Sequence, residues 1–229
     1  MKTSKNKPVL TLLALSLISI IAVFTSCTSS NNNNDVPPAH VMVVNTVKGS
    51  AAQTLKLNNN TVNATAVAYG QSSAYVTELP GSDNAQFFNS GSATVNASFS
   101  VTLNPNSYYT IYYAGNDTTN TAYTAQDNLT IPSGGFASVQ FINFSVASAF
   151  DFGVAGSSKL ASALATNTAS AYYSVPAKTA IAVYVSGSLT AILAIPADFQ
   201  SGMIYTVYIT GSSKTDLTYH IVSHNPAQS

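Results

Sequence analysis

Few residues of this chain could do chemistry, and their spacing is typical of β-strands. The 229-residue sequence contains three histidines, His40, His220 and His224, one glutamate, Glu78, and one cysteine, Cys27. His220 and His224 lie four positions apart, a spacing that pairs two imidazoles on a helix but leaves them about 13 Å apart along a strand rising ~3.3 Å per residue. The surrounding DLTYHIV alternates like a strand. We therefore interpret both histidines as exposed polar residues rather than a metal pair, and we predict no metal site.

The carboxylates do not suggest catalysis. Paired acid and base catalysis needs two acids that converge in a cleft, whereas most aspartates here lie in predicted turns, where their side chains bond local backbone. Asp151 is an exception, because alternation along its segment places it on the solvent face. Since the sequence contains no nucleophile elbow, phosphate loop or dinucleotide motif, we predict no catalytic residue, no cofactor and no enzyme activity.

The composition favours strands and a nearly neutral surface. Apolar residues make up 46% of the chain and charged residues 7%, with no arginine. Val, Ile, Thr, Tyr and Phe are abundant, which favours strands over long helices. Without arginine or a basic stripe, the chain is a poor candidate for nucleic-acid binding, and we predict none.

The first 26 residues have the pattern of a secretory signal. Three lysines precede a run of 16 mostly apolar residues, Val9 to Phe24, which is shorter than the roughly 20 residues of a membrane-spanning helix. The lone Cys27 follows, and it cannot form an intramolecular disulfide. The stretch FTSC resembles the lipobox of bacterial lipoproteins, in a form seen in Bacteroidetes. This resemblance implies that Cys27 is acylated and becomes the first residue after cleavage.

A polar, proline-terminated segment, residues 27–36, follows the signal peptide and is predicted to be a flexible tether. Two or three acyl chains at Cys27 would anchor the protein stably to a membrane. Thr28 stands where, by the same resemblance, an aspartate would retain a lipoprotein at the inner membrane. We therefore predict an outer-membrane lipoprotein, on either the periplasmic leaflet or the cell surface.

Beyond the tether, the chain repeats itself. YTIYYAG at residues 109–115 and YTVYITG at residues 205–211 lie 96 positions apart. AHVMVVN at residues 39–45 matches ASVQFIN at residues 137–143 with an offset of 98. The small change of offset is what short deletions in loops would produce, and we interpret it as an internal duplication.

Each copy contains about eight short apolar runs separated by turn residues, as a sandwich requires. The sequence therefore predicts an all-β fold: two tandem immunoglobulin-like antiparallel β-sandwich domains, residues 37–134 and 135–229, after the signal and tether. In the first copy, the polar segment 116–126 is predicted to be a loop before a last strand at 127–131.

The tyrosines of the repeated heptads fall on two faces. Tyr109 and Tyr205 each follow a predicted tight corner and resemble the tyrosine corner of immunoglobulin-like sandwiches, which implies a structural role. Tyr112 and Tyr208 lie on the face opposite the core. They either pack the sheet or stack against the apolar face of a sugar, which makes them the candidate ligand-contact residues.

These motifs resemble one known family. The opening strands VMVVN and VQFIN, the segments AYVTELP and AYYSVP, a Ser-Gly turn and the closing Y-T-[IV]-Y-x-x-G strands are similar to the domain of unknown function numbered 4397, found in secreted and surface proteins. The usual Ser-Pro-Asp motif after the first strand is absent from both copies. The resemblance implies an architecture and no established activity.

Two classes of function fit these features. The first is a surface binding or adhesion module whose loops contact an extended glycan or protein. The second is a structural spacer or envelope accessory protein that binds no small ligand. The sequence leaves the partner and the oligomeric state open.

Overall fold

The computed structural model describes residues 36–116, 119–196 and 198–224. From Val36 onward the chain forms one compact unit. The predicted signal peptide, Cys27 and all but the last residue of the predicted tether lie outside the described residues. Within the described ranges, no helix is long and apolar enough to cross a membrane.

The described elements are sixteen β-strands, which confirms the predicted all-β sandwich class. The strands of the first half are β1 Ala39–Asn45, β2 Gln53–Leu57, β3 Asn60–Thr61, β4 Val76–Glu78, β5 Gly81–Asn89, β6 Val95–Leu103, β7 Tyr108–Asn116 and β8 Thr119–Asp127. Those of the second half are β9 Phe136–Asn143, β10 Phe150–Val154, β11 Lys159–Leu164, β12 Thr168–Pro176, β13 Ile181–Val185, β14 Ala191–Ile195, β15 Ile204–Thr210 and β16 Thr218–Ser223.

The strands form four sheets of four. The first half contains the orders β4-β1-β7-β8 and β3-β2-β5-β6, and the second half contains β12-β9-β15-β16 and β11-β10-β13-β14. Counted from the start of each half, the two strand orders are the same. We call β1–β8 the first sandwich and β9–β16 the second sandwich, since each half encloses its own apolar core between its two sheets.

One strand pair in each sandwich is parallel, which differs from the antiparallel arrangement that we predicted. β1 runs parallel to β7, and β9 runs parallel to β15. The five strands between the members of each pair give the chain the long crossover that parallel pairing requires. Alternation of apolar residues could not show this, because it has the same period in both strand directions.

The segment predicted as a loop, residues 116–126, is mostly strand. β8 pairs with β7 in an antiparallel hairpin along its whole length. Its Tyr123 and Ala125 pack into an apolar layer against the second sandwich. The prediction was wrong because β8 is polar in composition although one of its faces is apolar. The last strand of this copy, predicted at 127–131, instead ends at Asp127.

Both predicted tyrosine corners are present. The Tyr109 hydroxyl accepts a hydrogen bond from the backbone N–H of Asn104 at 3.0 Å, and the Tyr205 hydroxyl accepts one from Gln200 at 3.2 Å. Between Asn104 and Tyr109 the chain turns through Asn106, whose φ of 54° lies in the left-handed region that asparagine tolerates. The structural interpretation of these two tyrosines is confirmed.

The asparagine that ends the first strand of each sandwich holds the following loop in place. The Nδ2 of Asn143 donates to the carbonyls of Ser148 and Leu164 at 3.0 and 2.9 Å, and its Oδ1 accepts the N–H of Ser145 at 2.9 Å. Asn45 makes the corresponding set of contacts in the first sandwich. Both side chains are fully buried, so the loop end of each sandwich is built around one amide.

Candidate functional site

The two sandwiches meet face to face. Sheet β4-β1-β7-β8 of the first packs against sheet β12-β9-β15-β16 of the second through one apolar layer, which we call the inter-sandwich interface. Its buried residues are Met42, Val44, Tyr112, Ala114, Ala125, Ile142, Phe144, Tyr208 and Val222. The strands β1, β7, β9 and β15 are therefore buried on both faces, which is typical of parallel strands.

Tyr112 and Tyr208 lie at the centre of this interface and not at the surface. Both are 0% exposed. Their rings are 6.1 Å apart at an interplanar angle of 75°, and each also contacts Phe144. The interpretation of these tyrosines as ligand contacts is therefore wrong, because the sheet face that carries them packs against the other sandwich and does not reach solvent.

A first hydrogen-bonded cluster borders the interface around Tyr69. Its hydroxyl lies 2.9 Å from the Thr210 hydroxyl and 3.2 Å from Nε2 of His220, both in the second sandwich. The His220 ring also stacks on Tyr208, with centroids 5.0 Å apart. Gly70 makes this approach possible, since a Cβ at that position would lie 2.6 Å from the imidazole.

A second cluster joins Tyr75 and Asp127 of the first sandwich to His224 of the second. The Tyr75 hydroxyl donates to Oδ2 of Asp127 at 2.8 Å and lies 2.9 Å from Nδ1 of His224. Thr110 donates to the same carboxylate oxygen at 2.7 Å. On the far side of the imidazole, Nε2 lies 2.8 Å from the Thr206 hydroxyl.

Burial controls the charges of this second cluster. It raises the pKa of Asp127 to about 6, against the opposing hydrogen bonds from Thr110 and Tyr75. It lowers the pKa of His224 to about 4, because a buried imidazolium loses its hydration. At neutral pH the cluster therefore holds a carboxylate and a neutral imidazole, whose Nδ1–H can donate to the Tyr75 oxygen.

The prediction that His220 and His224 are exposed was wrong. His224 is fully buried and His220 is half-buried, because β16, which carries His220 and ends just before His224, packs at the inter-sandwich interface. In the part of the chain that the structure describes, no three His, Cys, Asp or Glu side chains come together in a way that could hold a metal ion.

Asp151 is also buried, contrary to the solvent-facing position that we predicted. Its carboxylate accepts the backbone N–H groups of Ala163 and Gly187 at 2.7 and 3.1 Å and lies 3.6 Å from Nζ of Lys159. Burial pulls the pKa of this carboxyl upwards, but the two N–H groups and the lysine outweigh it and lower the pKa. Asp151 therefore binds neighbouring loops, and Glu78, in the other sandwich, does not join it.

A cleft of about 340 Å³ opens between the sandwiches, next to the inter-sandwich interface, at the end where β1, β7, β9 and β15 finish. We call it the inter-sandwich cleft. It is lined by Thr46, Val47, Lys48, Gly115, Phe144, Val146, Thr210, Gly211, Ser212 and Asp216. The cleft forms at this end because parallel strands finish at the same end of a sheet. The loops that follow these strands in both sandwiches therefore converge.

The lining of this cleft combines one ion pair with apolar and neutral polar groups. One cation and one carboxylate face each other across it, with Lys48 Nζ 3.9 Å from Asp216 Oδ2. Phe144 and Val146 supply apolar surface, and backbone and hydroxyl groups supply the rest.

A second cleft, of about 380 Å³, adjoins the first and shares Val47 and Lys48 with it. Gly49, Ser50, Ala51, Asn89, Asn96, Tyr113 and Asn120 complete its lining. We call it the amide cleft, because three asparagine side chains line it. Sequence reasoning missed this site, since asparagine is common throughout the chain and nothing in the local pattern brings Asn120 to Asn89 and Asn96.

Comparisons with known proteins place this fold in a family without an assigned activity. The family described as "Domain of unknown function (DUF4397)" matches residues 39–153, and the chain belongs to this family. The match covers the first sandwich and continues through most of β10 of the second. No curated protein sequence matches the chain.

One of the solved structures that match the chain aligns with much of its length. It is a carbohydrate-binding module of family CBM26 from Eubacterium rectale Amy13K, in complex with maltoheptaose. The alignment covers 82% of this chain and 98% of that module, at 10% sequence identity and a TM-score of 0.25. A TM-score of this size does not indicate a shared fold.

Proposed function

We propose that this protein is a lipid-anchored, non-catalytic binding module of the bacterial cell envelope, which contacts an extended glycan or protein at its loop end. The observation that carries the proposal is the inter-sandwich cleft. Loops from both sandwiches build it, and the buried interface beneath it fixes those loops relative to each other. Such loops on a rigid scaffold are where binding residues collect.

The charge of the cleft defines the character of the partner. Lys48 and Asp216 balance each other, and the remaining lining is neutral. Long-range electrostatic attraction therefore contributes little, and the affinity should depend only weakly on salt. Contacts would be made through hydroxyl, backbone and apolar groups.

Filling the inter-sandwich cleft should abolish binding. Val146 lines the cleft and is 46% exposed, so Val146→Trp would place an indole in the space without disturbing the core. We expect at least a tenfold loss of affinity for envelope polysaccharides or matrix proteins, which corresponds to about 1.4 kcal/mol. Binding would be measured by calorimetry at low and high salt.

Leu189→Trp is the matched control, because Leu189 is 92% exposed on a turn of the second sandwich, away from the cleft lining. Equal losses from the two tryptophan variants would contradict a specific role for the cleft. Turnover in a hydrolase screen that disappears with Asp151→Asn or Glu78→Gln would overturn the non-catalytic part of the proposal.

A structural spacer is the alternative function, and the inter-sandwich interface favours it. Tyr112, Phe144 and Tyr208 form a continuous aromatic layer that makes a rigid body of the two sandwiches. A rigid body on a polar tether could hold other envelope components apart without binding a ligand. The absence of binding to glycans and to matrix proteins would support this alternative.

The anchoring part of the proposal rests on Cys27. We expect Cys27→Ser either to leave the signal peptide uncleaved or to move the mature protein from the membrane fraction to the soluble fraction, because serine cannot carry the thioether-linked lipid. Fractionation and intact mass would measure this. A variant with Ser26→Ala, which keeps the cysteine, should remain membrane-bound, and an unchanged mass in Cys27→Ser would refute lipidation.

A further inference from the structure

Three side-chain amides form a connected network at the amide cleft. Nε2 of Gln53 donates to Oδ1 of Asn89 at 2.8 Å, and Nδ2 of Asn96 donates to the same oxygen at 2.6 Å and to Oε1 of Gln53 at 3.1 Å. Gln53 is fully buried, while Asn89 and Asn96 line the cleft. The network therefore connects the interior of the first sandwich to a surface cleft.

The second sandwich has apolar residues at all three positions. Gln53 pairs with Asn89 across β2 and β5, and Phe150 pairs with Val185 across β10 and β13 in the same register. Asn96 and Ile192 also correspond, because each is the extra residue of a β-bulge in the last strand of its sheet. The fold thus accepts Phe, Val and Ile where the first sandwich has three amides.

The fold by itself does not require these amides, since the second sandwich forms without them. Burying polar groups costs free energy unless each is hydrogen-bonded, and an apolar set of similar shape is often at least as stable. Two amides that line the cleft also keep free donors: Nδ2 of Asn89 and the side-chain amide of Asn120 donate no hydrogen bond to any described residue. The difference between the two sandwiches therefore points to recognition.

We propose that the amide cleft binds the hydroxyl groups of a neutral polysaccharide. Side-chain amides both donate and accept, as sugar hydroxyls do, so the two match without any net charge. A peptide segment would need an apolar pocket to anchor its side chains, and the side chains of this cleft are mostly polar. This inference rests on the proposed binding function and gives it a ligand class and a second contact site beside the inter-sandwich cleft.

Replacing the network with the apolar set of the second sandwich tests the inference. The full-length protein, solubilised in detergent, would be applied to an array of neutral and acidic polysaccharides, with gelatin as an extended polypeptide probe. We expect binding to at least one neutral polysaccharide. The triple variant Gln53→Phe/Asn89→Val/Asn96→Ile should lose affinity about tenfold or more, the loss that follows from about 1.4 kcal/mol.

Two further variants keep the test decisive if the triple variant does not fold. Asn120→Ala changes only an exposed side chain at the cleft and should weaken binding several-fold. Asn84→Ala removes an exposed side chain on β5 that accepts only from the Ser98 hydroxyl, and it should leave the affinity unchanged. Near-ultraviolet circular dichroism would report whether each variant retains its tertiary structure.

The possible results separate this inference from the proposed function. If Val146→Trp abolishes polysaccharide binding while Asn120→Ala and a folded triple variant do not, the inference is overturned and the proposed function stands. If gelatin binds and no neutral polysaccharide does, the partner is a polypeptide and the inference is overturned. If neither binds, the inference and the binding function both fail.

Discussion

Replacing Asn143 with aspartate should lower the free energy of unfolding by about 4 kcal/mol, the largest single effect that we expect. The substitution hardly changes the shape of the side chain, but it exchanges the Nδ2 donor for a carboxylate oxygen. That oxygen would face the carbonyls of Ser148 and Leu164, which the amide now binds at 3.0 and 2.9 Å. Because the side chain is fully buried, both carbonyls and a new charge would be left without compensation.

Denaturant unfolding of Asn143→Asp would be compared with two matched variants. Asn45→Asp should cost less, because one partner of Asn45 is the Ser50 hydroxyl at 3.0 Å, which can rotate and donate to a carboxylate. Asn128→Asp should change stability by no more than about 0.5 kcal/mol, since its exposed side chain only accepts from the N–H of Thr130. Equal costs for Asn143 and Asn128 would contradict the proposed role.

The Asp127–His224 cluster should make two single variants respond to pH in opposite directions. The pKa of Asp127 rises from 3.8 to about 6 on folding, so its contribution favours the folded state at low pH and is lost as pH rises through 6. The pKa of His224 falls from 6.5 to about 4, so its contribution is present above pH 6.5 and is lost as pH falls through 4. In the wild-type protein these two effects largely cancel between pH 4 and 6.

Each single variant removes one of the opposing effects. In His224→Gln only Asp127 remains, and relative to wild type the free energy of unfolding should decrease by about 3 kcal/mol from pH 4 to pH 6. In Asp127→Asn only His224 remains, and it should increase by a similar amount. Asparagine at position 127 still accepts from Tyr75 and Thr110, so the local packing is kept.

Urea unfolding at half-unit steps between pH 4 and 7 would measure both slopes. The double variant Asp127→Asn/His224→Gln is the internal control, because without either group it should return to the weak pH dependence of the wild-type protein. Slopes of the same sign in both single variants would refute the assignment of a neutral imidazole beside a carboxylate at pH 7.

Local sequence pattern determined the strands and corners of this protein. Period-two alternation and turn residues predicted the sandwich class, and the second sandwich has strands close to the apolar runs of its sequence. Tyr109 and Tyr205 could be assigned because their hydroxyls bond backbone only five residues away, within the same corner. A contact between residues that are close in sequence can be predicted from the local sequence pattern.

Only the tertiary structure decided what covers each face. The sequence showed that Tyr112 and Tyr208 lie opposite the core, but the layer that covers each of them comes from strands of the other sandwich. The same contact buries His224 beside Asp127. Alternation along a strand shows which residues share a face. It does not show whether that face meets solvent or another sheet.

The repeated heptads YTIYYAG and YTVYITG illustrate both what local sequence determines and what tertiary structure decides. Their two faces could be assigned from the sequence, and in the structure one face of each heptad fills its own sandwich while the other fills the inter-sandwich interface. The amide cleft depended on tertiary structure alone, because Gln53, Asn89 and Asn96 meet only when β2, β5 and β6 pair in register. Local periodicity determines a strand, whereas a site depends on which distant strands become its neighbours.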